Sequence, residues 1–244
     1  MATILTPSSA PAGMTYLDLV NRARRECGVS GADLTTLQNN LTKEGQRFKD
    51  WVNDAWREVQ MAKPDWEWMR LQFQFDTVVS QNTYSFSQTD TLDLADWRLD
   101  AFRCYTTATG TVDEQILPFM YYNTWRDVYQ YASMRDTSGR PTVITIQPDH
   151  TLAIGPLPDQ VYTITGEFYR VPTDLTADAD DPSSPTNGLP ARFHMLLVYK
   201  AMAAYALFES AAEVAARAMK GEKHQMNRLL VWGMPMITMG APLA

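Results

Sequence analysis

The chain has 244 residues, 45% hydrophobic and 20% charged, with 28 Asp and Glu against 21 Lys and Arg, for a formal charge of −7 and a pI near 5.0. That is the composition of a soluble globular protein with length enough for one large domain or two small ones. It excludes a surface built to grip nucleic acid, which needs clustered Lys and Arg to neutralise phosphate, and the lone Cys27 and Cys104 exclude a disulfide framework or a thiolate metal site.

The opening MATILTPSSAPAG has no basic stretch leading into a long apolar run, so residues 1–14 read as a flexible or docking arm and not as a secretory signal. Thr15 followed by Asp18 is a capping-box-like start, with the shorter Asp in place of Glu. Tyr16, Leu17, Val20, Ala23 and Cys27 then recur at helical spacing up to Gly28, a C-cap residue. A second helix is written by Phe48, Trp51, Val52, Ala55, Trp56 and Val59, at i, i+3, i+4, i+7, i+8 and i+11, and Pro64 stops it. Each of those side chains contributes roughly 1.5–3 kcal/mol when fully buried. Residues 15–65 are therefore expected to form the N-terminal helices of a bundle.

From residue 66 to 172 the period becomes two. Leu71, Phe73 and Phe75 alternate with Gln72, Gln74 and Asp76, and Tyr84 and Phe86 repeat the alternation beyond the turn at Ser80-Gln81-Asn82. Further strands are expected at 97–107, 142–147, 152–154 and 161–171, with turns at Gly110, Ser138-Gly139, Pro148-Asp149 and 156–159. Short strands so closely spaced indicate an antiparallel sandwich or small barrel, and MYYNTWRDVYQYASM a short aromatic helix on it.

Residues 173–188, TDLTADADDPSSPTNG, read as an acidic linker. Asp174, Asp178, Asp180 and Asp181 invite a calcium reading, but Ser183 stands where an EF-hand loop starting at Asp178 needs Gly, and the terminal Glu is missing. Residues 189–232 are expected to be a helical hairpin. From Phe193 to Phe208, 14 of 16 residues are apolar, interrupted by His194 and Lys200, too short and too charged for a membrane span. Pro190 suits the first helical position. A helix apolar on most of its circumference must be covered on most of it. The next helix carries Val214, Ala218, Met226, Leu229 and Leu230 on its apolar side, and Gly221 marks a bend at a cost of about 1 kcal/mol. Residues 233–244 are an apolar tail without side-chain charge, which reads either as a frayed end or as a peptide that orders in a partner's groove.

No HExxH, GxSxG, GxxxxGK[ST] or GxGxxG occurs, and His150, His194 and His224 are isolated. Two other function classes are open to such a chain. A carbohydrate- or receptor-binding module would use Trp97, Tyr121, Tyr122, Trp125 and Tyr129 as a sugar platform; a core would simply pack them. A hydrolase would need paired carboxylates, and Asp113 and Glu114, adjacent on a loop, are placed for solvation instead. The fold class expected is α+β: a helical bundle from the N- and C-terminal helices with an inserted antiparallel β domain.

The stretches TYLDLVNRARRECGVSG (15–31), EGQRFKDWVNDAWREVQMAKPDWEWM (44–69) and LPARFHMLLVYKAMAAYALFESAAEVAARAMKGEKHQMNRL (189–229), in this order, resemble the head-to-tail adaptor proteins of tailed bacteriophages. The resemblance implies a structural virion protein of the neck, made in the host cytoplasm, with no catalytic residue, cofactor, metal or membrane. Its partners would be the portal protein above it, a tail or nozzle protein below, and copies of itself in a dodecameric ring through which dsDNA passes without specific binding. An acidic channel does not hold DNA that must leave through it. The bundle core would consist of Phe48, Trp51, Val52, Trp56, Leu196, Tyr199 and Ala203, with the next subunit covering the far side of the central helix. The tail would dock into the portal through Met234, Met236, Ile237, Met239 and Leu243.

Overall fold

A computed structural model describes residues 13–39, 41–91, 93–131, 133–184 and 188–234. The class is α+β, and the chain divides into two compact units, one from residues 1–69 together with 172–244 and one from residues 70–171.

The first unit is helical. Helix α1 (Tyr16–Glu26) starts on a reciprocal cap: the Thr15 hydroxyl accepts the Asp18 N–H at 3.2 Å and the Asp18 carboxylate accepts the Thr15 N–H at 3.1 Å. It ends with Gly28 at φ +75°, the Gly28 N–H reaching the Arg25 carbonyl and the Val29 N–H that of Arg24, so the left-handed residue lets the chain satisfy two terminal carbonyls. Asn21 ties down the following loop by exchanging hydrogen bonds with the Leu34 backbone N–H and carbonyl. Helix α2 (Lys43–Met61) begins five residues before its first apolar stripe residue, because Thr42 caps it through the Gly45 N–H; cap chemistry, not periodicity, sets that end.

A 3₁₀ turn, Ala191–Phe193, leads into helix α5 (His194–Glu209), so Pro190 stands one turn ahead of the helix and not at its first position. Left-handed Ser210 turns the chain into helix α6 (Ala212–Trp232). Helix α5 packs on α1, α2 and α6, which explains how it can be apolar all round. From Phe193 to Ala206 every residue is buried or half-buried by the chain itself. Gly221 marks no break in α6: without a Cβ it lets α6 close onto the Tyr199 ring.

The second unit contains two antiparallel sheets. The first has β1 (Arg70–Asp76), β10 (Tyr162–Arg170), β4 (Arg103–Thr106) and β5 (Gln115–Ile116) in that order, with β3 (Leu94–Trp97) also on β10. The second runs β2 (Thr83–Tyr84), β8 (Leu152–Gly155), β7 (Val143–Ile146). Both contribute to one apolar core, in which Phe73, Tyr84, Ile144, Leu152, Ile164 and Phe168 meet. Phe73 lies opposite Gly166, whose missing side chain makes room for the Phe73 and Phe102 rings. Ser138-Gly139 and Leu157-Pro158, expected as turns, pair as short parallel strands β6 and β9. Phe86 opens helix α3 (Phe86–Thr89) and not a strand, since Ser85 and Gln88 form a capping box. The single strand expected at 97–107 is two, β3 and β4, separated by a turn in which Arg98 pairs with Asp100. The aromatic helix is brief, α4 (Tyr122–Trp125) followed by a π turn over Arg126–Gln130.

Candidate functional site

In the helical unit, Phe48, Val52, Trp56 and Leu196 are buried, while Trp51, Tyr199 and Ala203 are half-buried and pack against the same cluster. Aromatic pairs knit the helices together. Phe48 stacks on Tyr205 at 5.4 Å and meets Trp51 edge-on at 5.2 Å, and Trp56 stacks on Trp68 at 5.6 Å. Lys200 interrupts the apolar run of α5 because it reaches carboxylates on both neighbouring helices, Glu58 of α2 at 2.6 Å and Glu222 of α6 at 2.9 Å.

The acidic linker is a clasp. Asp178 accepts the Leu37 N–H at 2.8 Å and the Thr36 hydroxyl at 2.6 Å, contacts that hold its carboxyl below the usual 3.8, led by the Thr36 bond. Asp174 pairs with Arg57 of α2 at 2.6 Å, and Asp180 accepts the N–H groups of Thr176 and Ala177. The carbonyls of Asp180 and Asp178 receive the N–H groups of Tyr16 and Leu17, donors that the first turn of α1 leaves without helical partners. The carboxylates are thus spent on backbone donors and on Arg57. Among the described residues no group of three His, Cys, Asp or Glu is arranged to hold a metal ion.

His194, expected only as an isolated residue on a helix, is fully buried, and its Nδ1 accepts the Met14 N–H at 2.9 Å. Its Nε2 is 3.7 Å from the Asp181 carboxylate. Burial holds its pKa below 6.5, opposed by Asp181. No motif announces this clasp; the signal is one polar residue on an apolar helix start.

The α5–α6 hairpin presents apolar side chains at both ends. At one end, Arg192, Phe193, Asn227, Arg228, Val231 and Trp232 line a depression of about 430 Å³. The Arg192 guanidinium lies 4.9 Å from the Phe193 ring and 5.3 Å from the Trp232 ring. Here Gly233 caps α6 through the Leu229 carbonyl, packs against Trp66, and accepts Lys63 Nζ at 2.9 Å. Met234 is 63% exposed. Met236, Ile237, Met239 and Leu243, the remainder of the expected portal-binding set, lie outside the described residues. At the other end, Leu207 and Phe208 face solvent, with Arg47 4.1 Å above the Phe208 ring.

In the β unit the sugar platform is not assembled. Trp97 and Trp125 are buried, Trp97 donating its indole N–H to the His150 carbonyl at 3.0 Å, while Tyr121 is exposed and Tyr122 and Tyr129 are half-buried. Asp113 is structural, accepting the Thr106 N–H and hydroxyl and pairing with Arg140 at 3.0 Å. The outer face of the larger sheet holds a polar depression of about 600 Å³ lined by Gln72, Gln74, Arg98, Arg103, Thr165 and Glu167. Cys27 and Cys104 are free and buried, and burial pushes their thiols up to about 12 and about 11. No helix of the described residues is long and apolar enough to cross a membrane.

Residues 14–234 match the model of the family described as SU10 adaptor protein, a span that takes in both units. Among curated proteins, none matches the chain.

Proposed function

The chain belongs to the SU10 adaptor protein family, a family of structural adaptors and not of enzymes, and from that premise we propose that it is a head-to-tail connector of the phage virion. In this reading it forms a ring, of twelve copies as the resemblance implies, seated beneath the portal protein in the neck, and carries the tail or nozzle protein below. DNA passes through the ring without specific binding. The match over residues 14–234 carries the proposal. The uncharged tail that begins beyond α6, with Met234 63% exposed at its start, supports placing the portal contact in that tail. The balance of −7 is consistent with a channel that does not retain its cargo.

Sedimentation velocity of the purified chain, alone and mixed with the portal protein of the same genome, tests it. A ring-sized complex containing both proteins is the expected result. A chain that sediments as a monomer and ignores the portal removes the proposal.

A further inference from the structure

The two exposed ends of the α5–α6 hairpin differ: one is a depression flanked by arginines, the other a pair of protruding apolar side chains beside glutamates. Along α6, Arg217, Lys220, His224, Arg228 and Val231 recur at i, i+3, i+7, i+11 and i+14, one line down its outer side. At the lower end of that line, Arg228 and Arg192 flank the depression floored by Phe193, Val231 and Trp232. Neither arginine has a carboxylate partner among the described residues, and Val231 and Trp232 are 67% and 41% exposed. Arg and Trp side chains beside a concave apolar patch are the residue types that dominate protein–protein binding energy.

The opposite end is a knob that carries carboxylates without ion-pair partners among the described residues. Leu207 and Phe208 protrude there at 79% and 51% exposure. Glu209 follows directly, and Glu213 stands in the first turn of α6; both are exposed and neither forms an ion pair among the described residues. Glu44 adds to this acidic end: with Glu209 it is among the charges that raise the Tyr205 hydroxyl, after burial. Arg47 lies 4.1 Å over the Phe208 ring, and Arg25 and Arg217, which share a depression with Glu213, are the other cations near this end; Arg25 is paired with Asp33 and Arg217 with Glu26. The 16-residue α5 keeps knob and socket about 24 Å apart, at 1.5 Å per residue.

We propose that the depression between Arg192 and Trp232 receives the Leu207–Glu209 knob of a second copy of this chain, the carboxylates of Glu209 and Glu213 meeting Arg192 and Arg228. A knob at one end and a socket at the other make a heterologous contact, which generates a ring when the rotation closes. The inference rests on the connector reading and adds to it the surfaces by which neighbouring subunits join. The patch is small beside the roughly 800 Å² that each partner buries in a stable interface, so ring closure or portal contact must add to it.

Cysteines at Leu207→Cys and Val231→Cys together, joined by a short bismaleimide, test the contact in the complex with the portal and in the free chain at high concentration. Both positions are exposed, so the fold is unaffected, which the melting temperature checks; the native thiols are buried and give a blank background. The expected product is a ladder of dimer, trimer and higher species from the double variant and none from either single variant. Adding Arg192→Glu and Arg228→Glu removes the ladder at least tenfold, and Glu209→Arg with Glu213→Arg in the same chain restores it. Dimers from a single-cysteine variant indicate a two-fold contact and overturn the proposal. A portal complex that forms without a ladder overturns it while leaving the connector reading intact. Failure to bind the portal removes that reading, and the free chain then decides the contact by itself.

Discussion

Gly221 of α6 faces the ring of Tyr199 on α5 so closely that a Cβ at residue 221 would lie 2.6 Å from Tyr199 Cε1. Helix propensity alone favours alanine over glycine there by about 1 kcal/mol. Overpacking costs about 1–3 kcal/mol and outweighs it. Gly221→Ala therefore destabilises the protein in urea unfolding, whereas in a Tyr199→Ala background the same change stabilises it. Equal effects in both backgrounds would mean that the ring moves aside freely.

Trp56 is fully buried and stacked on Trp68. Trp56→Ala is expected to cost about 3–5 kcal/mol, read from the urea midpoint. A shift within error would place the side chain at the surface.

The His194 clasp makes stability depend on pH in a defined window. Burial depresses its folded pKa below the ordinary 6.5, so between those two values the unfolded chain binds the extra proton. The stabilisation is complete above 6.5 and is lost as pH falls through the folded value. Asp178 and Asp113, also depressed from 3.8, lose their contribution only at lower pH. Unfolding free energy measured between pH 7 and 5 should fall with acidity in the wild type and be flat in His194→Asn, whose amide oxygen can still accept the Met14 N–H. A variant with the wild-type slope would assign the titration elsewhere.

The linker carboxylates are engaged by backbone donors and by Arg57, so calcium and chelator should leave the melting temperature unchanged. Asp178→Ala, by contrast, releases the Leu37 N–H, and amide exchange at Leu37 rises. A melting temperature that climbs with added calcium would revive the metal reading.

Truncation separates the tail from the bundle. Removing residues 235–244 leaves Gly233 to cap α6 and pack on Trp66, so the melting temperature stays within about 2 °C, a shift that corresponds to at most about 1 kcal/mol, while portal affinity falls. Removing residues 233–244 takes the cap as well and lowers both. Portal affinity unchanged in the shorter truncation would show that the tail does not dock.

Local chemistry was legible in the sequence wherever it closes within a few residues. The Thr15–Asp18 cap, the Gly28 stop, the Phe48 to Val59 stripe and the alternation of β1 all depend on neighbours along the chain. Choices that depend on distant partners were not. Phe86 continues an alternating pattern, yet the Ser85–Gln88 box takes it into a helix. Alternation fixes which side chains share a face but not what meets that face. For the same reason alternation alone does not separate a sugar platform from a core at Trp97 and Trp125. The candidate docking surfaces were half visible: the apolar tail stands out by composition, while the knob and socket emerge only when the hairpin brings Arg192 beside Trp232.

The insertion of the β unit between α2 and α5 fixes an order of events on the ribosome. Phe48, Val52 and Trp56 emerge early, but the helix that covers them ends at Glu209, about 150 residues after α2. At roughly 5–20 residues per second, the aromatic face of α2 stays uncovered for roughly 7–30 s, while the contiguous β unit has all its strands and can close. Each new chain passes through an interval in which this aromatic face is bare, and transiently exposed apolar surface of that kind is what chaperones engage.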